Sequence, residues 1–244
     1  MTIDVAPADR WARQVADRLL DRLRDRPQMR LCLPTGATPR PVYARLAAAA
    51  AAGEASFAQT QIFLLDEFGG LPPDDPARCA NMLAADLVDH LDIDASRVHV
   101  PDVDADDLDA ACTAYDAAIA AAGGLDLALL GLGGNGHVGM NEPGADPAGR
   151  THVTALHQST QDHAATYGAT TSPSWGITLG LGTLAEVDEL WLLVTGEHKR
   201  DVLGRALDGP ITPELPASLL RRHERLLVLA DDAAAADGVQ PRTR

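Results

Sequence analysis

The chain has 244 residues, with 35 acidic against 20 basic side chains and a formal charge of −15 at pH 7. A field of that sign excludes nucleic acid or an anionic membrane as a partner held by overall charge. Nineteen of the basic residues are arginine, and one, Lys199, is lysine. Three widely spaced cysteines (Cys32, Cys79, Cys112) form no CxxC pair, which argues against a disulfide framework or a cysteine zinc site and for reduced thiols in the core or in a site wall. The N-terminal MTIDVAPADRWARQ lacks the basic start and apolar run of a signal peptide, and no apolar run approaches the ~20 residues of a membrane span. A cytoplasmic location is the expectation.

In chain order, Trp11, Val15, Leu19, Leu20 and Leu23 recur at helical spacing and predict a helix over 8–26. The apolar run 29–33 reads as a buried strand stopping at Pro34-Thr35-Gly36, and a helix follows over 41–52. Residues 62–65 read as a strand ending at Asp66-Glu67, and 78–91 and 106–122 as helices. Residues 125–130 read as a strand running into GLGGNGHVG, 177–179 and 190–194 as strands, 197–207 as a helix and 225–230 as the last strand. Strands alternate with helices throughout. The expectation is therefore an α/β chain: one domain over 1–244, doubly wound and Rossmann-like, with a mainly parallel sheet, helices on both faces and a frayed tail over 232–244. In such sheets ligands bind beyond the carboxyl ends of the strands.

Four post-strand segments carry chemistry. In LPTGATPRPVY (33–43), Thr35, Gly36, Ala37 and Thr38 precede a helix that begins near Pro39. That is either a phosphate cradle of backbone N–H groups or an ordinary capped turn, and the absence of GK[ST] excludes a Walker loop. In LLDEFGGLPPDDP (64–76), Asp66 and Glu67 are adjacent, so strand geometry sends them in opposite directions. One is placed to reach a pocket as a base while the other serves the structure; solvated loop acids are the bland alternative. GLGGNGHVGMNEPG (131–144) combines permissive glycines with Asn135, His137, Asn141 and Glu142, the pattern of an acid–base relay. In VTGEHKR (194–200), Lys199 stands at a helix start, where an ammonium opposes the macrodipole and a bound anion would offset it. The Asp-rich run 102–109 reads as a solvated helix start, since no paired histidines accompany it.

The segments PTGATP, LDEFGGLP, GLGGNGHVGMNEPG and TGEHKR, with PASLLRRH at 216–223, resemble in order and spacing the glucosamine-6-phosphate deaminase/isomerase family, within a wider group that includes 6-phosphogluconolactonase. NEP after the glycine–histidine turn looks like the deaminase branch, where the lactonase branch typically continues GHTAS. The resemblance implies an aminosugar-6-phosphate deaminase that releases a ketose-6-phosphate and ammonia, with no metal or organic cofactor. Asp66 would shuttle the proton between C2 and C1, His137 would open the ring, and Glu142 and Asn135 would orient and tune His137. Thr35, Gly36, Ala37, Thr38, Gly131 and Lys199 would hold the substrate and its phosphate.

Several departures qualify this expectation. Phe68 stands where many members carry Tyr, and a phosphate-gripping arginine of the family falls near Thr166. His163 is expected to take over part of that arginine's role. The segment STQDH (159–163) resembles a galactosamine-6-phosphate subgroup, and the basic residues of the family's allosteric site are absent near His152 and Thr154. Family members are often oligomers, so self-association is a further expectation. The competing readings are a sugar-phosphate lactonase and a non-catalytic sugar-phosphate-binding protein.

Overall fold

In a computed structural model of the chain, residues 1–235 are described. Seven strands form one sheet: β1 (Thr2–Ala6), β2 (Arg30–Leu33), β3 (Gln61–Leu64), β5 (Val98–His99), β6 (Leu127–Gly131), β9 (Leu190–Val194) and β10 (Leu226–Asp231). Their order is β1-β10-β9-β6-β2-β3-β5, and every neighbouring pair is parallel. The strands are apolar almost throughout because both sheet faces are covered. Period-two alternation divides each strand between two cores. Leu31, Leu33, Ile62, Leu64, Leu129 and Trp191 face one, with α1 (Ala8–Asp25), α2 (Arg40–Ala51) and α3 (Cys79–Asp86). Cys32, Phe63, Leu130 and Leu192 face the other, with α4 (Leu108–Ala121), α6 (Leu181–Ala185), α7 (Arg200–Asp208) and α8 (Pro216–Leu219). Helices on both faces of a parallel sheet bear out the doubly wound expectation.

A second sheet was not expected. β4 (Asp66–Phe68), β8 (Trp175–Thr178) and β7 (His152–Ala155) pair antiparallel in the order β4-β8-β7. The strand expected at 177–179 therefore belongs here and not to the parallel sheet. Leu65 is the crossing point: its N–H donates to Leu33 of β2, and its carbonyl accepts from Leu179 just past β8. Asp66 is thus the first residue after the chain leaves the main sheet.

The helix expected over 78–91 is shorter. α3 ends at Asp86, the backbone turns out of helical geometry at the fully buried Leu87, and a short 3-10 turn, Val88–His90, follows. Asp107 caps α4 by accepting from the N–H of Ala110, and Asp104 pairs with Arg78, so the acidic run serves a helix start and an ion pair. In the segment expected to fray, Ala234 and Ala235 are buried and the Asp232 N–H donates to the Ala6 carbonyl; residues 236–244 lie outside the described residues.

The strand order fixes where a ligand fits. From β2 the chain winds outward through β3 to β5, then returns to place β6 on the other side of β2 before winding outward again through β9 and β10. The reversal between β2 and β6 leaves a crevice beyond their carboxyl ends.

Candidate active site

A cleft of about 310 Å³ occupies that crevice. Its walls are the segments following four adjacent strands. Thr35–Thr38 follow β2, Leu65 and Asp66 follow β3, Leu132, Gly133 and His137 follow β6, and Thr195, His198 and Lys199 follow β9. The volume suits a small ligand. Three other hollows are larger, about 380 Å³ beside Leu181 and Arg225, about 400 Å³ beside Arg30 and Gln61, and about 690 Å³ beside Leu23 and Asp92. In the first and last of these, polar groups are engaged locally: a His223 ring nitrogen lies 2.7 Å from the Val187 carbonyl, and Asp92 accepts from Ser56 and from the Phe57 N–H.

Asp66 and Glu67 divide as strand geometry requires. Asp66 lies on the cleft wall, 8 % exposed; burial and the neighbouring Glu67 charge push its carboxyl up to about 7, against a hydrogen bond with Cys79. Glu67, 2 % exposed, points the other way and accepts at 2.8 Å from each of the N–H groups of Phe68, Cys79 and Ala80. Two of those belong to the first turn of α3, so Glu67 fixes the start of that helix and with it Cys79 beside Asp66. Burial pushes the Glu67 carboxyl up, and the three N–H groups oppose the shift.

The glycine-rich loop is built around the His137 ring. A Cβ on Gly133 would lie 2.3 Å from the ring, so only glycine leaves room for it. The loop closes on itself through Gly133 N–H to the His137 carbonyl at 2.9 Å. Asn135 accepts from the His137 backbone N–H at 3.1 Å and donates through Nδ2 to Glu142 Oε2 at 2.7 Å. Its contact is with the histidine's backbone and with Glu142 rather than with the ring. Glu142 Oε2 also faces His137 Nδ1 at 3.5 Å, and no closer partner reaches that buried nitrogen among the described residues. Burial would raise the Glu142 carboxyl, but the facing His137 and the hydrogen bonds from Thr160 and Asn135 win and hold it at about 2. An ionised carboxylate therefore stands behind the histidine at every working pH. Asn141 is a framing residue: fully buried, it donates to the carbonyls of Val138 and Leu179.

The same cleft also carries groups suited to an anion. Gly36 has φ +110°, a conformation that favours glycine, in the Thr35–Thr38 turn that lines the cleft as α2 begins. A Cβ there would also meet the Tyr167 hydroxyl at 3.0 Å. Lys199 is the one lysine or arginine on the wall among the described residues; burial lowers its pKa, and no acid offsets that shift. An ammonium held in this way gains from a bound anion. Gly131 also lies on the wall. His163 falls on α5 (Gln158–Thr166), and its side chain lies outside the described residues.

Sequence reasoning missed Thr160, Tyr167, Thr195, His198 and, as a wall residue beside Asp66, Cys79. Cys79 had only the general expectation of a core or wall thiol. Thr160 and Tyr167 arrive on a segment carried over the cleft by the unexpected second sheet. Among the described residues no cluster of three or more His, Cys, Asp or Glu is disposed to hold a metal ion, and no helix is long and apolar enough to cross a membrane.

Residues 4–228 match the family described as glucosamine-6-phosphate isomerases/6-phosphogluconolactonase. The chain is 44 % identical over 204 residues, 83 % of its length and 78 % of the relative's, to a glucosamine-6-phosphate deaminase of Cutibacterium acnes. It is 37 % identical to that of Shouchella clausii over 96 % of both chains. Among solved structures, a monomeric glucosamine-6-phosphate deaminase superimposes with a TM-score of 0.92 at 32 % identity, covering 98 % of this chain and 100 % of that one. The 6-phosphogluconolactonase of Thermotoga maritima shares the fold with a TM-score of 0.76 at 23 % identity, over 95 % and 99 % of the two chains. Motifs, fold and sequence agree: the chain belongs to the glucosamine-6-phosphate isomerase/6-phosphogluconolactonase family.

Proposed function

We propose that the protein deaminates glucosamine-6-phosphate, yielding the ketose-6-phosphate and ammonia. One observation carries the reading. A buried carboxylate with a pKa near neutrality and a carboxylate-backed histidine face the same cleft, whose wall also offers an ammonium and a helix start to a phosphate. Relatives at 37–44 % identity bear the name of this activity, whereas the lactonase likeness at 23 % supports the fold alone.

The chemistry follows from the placement. The pyranose has no acidic C–H. His137 takes the proton of the C1 hydroxyl and delivers one to the ring oxygen, giving the open-chain aldehyde. The C2 proton is now α to a carbonyl, and Asp66 removes it to give the 1,2-enolamine. Asp66 then returns the proton to C1, which leaves an iminium at C2. Water adds there, and ammonia departs as the C2 ketone forms. Thr35–Thr38 and Lys199 grip the 6-phosphate away from the reacting carbons and convert binding energy into orientation. The similar solved deaminase is monomeric, which supports a site supplied by a single chain.

Ammonia release from glucosamine-6-phosphate and from galactosamine-6-phosphate, run beside 6-phosphogluconolactone hydrolysis, tests the reading. We expect ammonia from the glucosamine epimer. Asp66→Asn should abolish C2 proton exchange while the variant still binds the sugar phosphate. Fast lactone cleavage without ammonia, or sugar-phosphate binding without turnover, would sink the proposal.

A further inference from the structure

Glu142 divides its two oxygens between two parts of the fold. Oε2 faces the glycine-rich loop, meeting Asn135 Nδ2 at 2.7 Å and His137 Nδ1 at 3.5 Å. Oε1 faces the start of α5, accepting from Thr160 Oγ1 at 2.6 Å and from the His157 N–H at 3.3 Å. Thr160 is 7 % exposed and stands on the cleft wall, 18 residues along the chain from the carboxylate it holds. A carboxylate held at one oxygen keeps more freedom about its last bond than one engaged at both. The short, partly buried hydroxyl bond is the stronger anchor on Oε1, because a 3.3 Å contact is already long for an N–H donor.

We propose that Thr160 is a positioning residue for His137. By fixing Glu142 Oε1 it keeps Oε2 aimed at Nδ1, so that a proton taken up by the ring during pyranose opening meets an oriented negative charge. The inference rests on the role given to His137 above. It adds that α5, which contributes none of the sequence motifs other than STQDH, is tied to the acid–base pair by one hydroxyl. A carboxylate that orients the histidine of an acid–base pair acts through geometry, and loss of its own support forfeits part of the catalysis that the pair provides.

A double-mutant cycle with Glu142→Gln tests this, because it asks whether the hydroxyl acts through the carboxylate. In the wild-type background Thr160→Val should lower kcat about tenfold, part of the hundredfold or more that general acid–base catalysis contributes. It should leave the affinity for the open-chain alditol analogue of the substrate within about twofold, since that analogue needs no ring opening. Thr160→Ser, which keeps the hydroxyl, should restore kcat and the wild-type pH profile. In the Glu142→Gln background Thr160→Val should cost little more. Thr160→Ala removes the same hydroxyl without adding a methyl group and repeats the cycle should the valine variant fail to fold. Equal losses in both backgrounds, an unchanged kcat in the wild-type background, or a matching loss of analogue affinity would each overturn the proposal. An absence of deaminase activity in the unmutated protein would instead strike at the functional reading itself.

Discussion

At the scale of single residues, the electrostatics of Asp66 set both the activity and its cost. A base must be ionised to accept a proton, and burial beside Glu67 pushes this carboxyl up to about 7. kcat/KM should therefore climb as pH rises through about 7 and level off above it. The same shift works against folding. The unfolded chain ionises Asp66 near the ordinary value of about 3.9, so the folded state is penalised as pH climbs from there, fully so above about 7. Asp66→Asn should be inactive yet more stable at pH 8, by on the order of 2–4 kcal/mol, with the gain fading toward pH 4. Thermal melts of both proteins across that range check it, and a gap that does not change with pH would remove the raised carboxyl as its cause. Adjacency and alternation made the Asp66–Glu67 division legible in the sequence. What each acid meets was not, because two of the three N–H groups that bind Glu67 lie on a helix 12 and 13 residues away.

At the scale of elements, the anion-binding part of the cleft depends on a strand that contributes no wall residue. Asp231 closes β10 and accepts the Gly196 N–H with both carboxylate oxygens at 3.0 Å, while its Oδ1 also accepts from Ala234 at 2.7 Å. Gly196 has φ +90°, and its carbonyl in turn accepts from the Lys199 N–H at 3.0 Å. Asp231→Ala should loosen this turn and raise KM for the sugar phosphate about tenfold with kcat little changed. Lys199→Ala, which removes the ammonium itself, should raise KM further. A drop in kcat at constant KM for the Asp231 variant would place its effect on the reacting carbons instead. The turn itself was legible from strand, glycine and helix start in VTGEHKR; its brace was not, since Gly196 and Asp231 are 35 residues apart. The second sheet escaped notice for a related reason. β4 and β7 are three and four residues, too short for periodicity to declare; β8 was read as a strand, but the antiparallel pairing that joins the three is entirely long-range. Helices α1, α2, α4 and α7 and strands β2, β3, β6, β9 and β10, whose own residues carry the pattern, were read close to where they lie, whereas β1, β5, α5, α6 and α8 were not read at all.

For the whole molecule, a net charge of −15 surrounds a cleft with one ammonium. A sugar phosphate is an anion, so the distant acids repel it while Lys199 and the α2 start attract it at close range. Salt separates the two contributions. Screening acts over a Debye length of about 30 Å at 0.01 M and about 10 Å at 0.1 M, so it removes the diffuse repulsion first, whereas the half-buried Lys199 is shielded less. We expect kcat/KM to rise a few-fold between about 10 and 100 mM salt, the reverse of the usual behaviour for an anion meeting a basic site. Lys199→Ala should keep that rise at a lower absolute value, because the slope belongs to the surface and the height to the lysine. If kcat/KM fell over the same interval and the fall disappeared in Lys199→Ala, the lone ammonium would govern approach as well as grip.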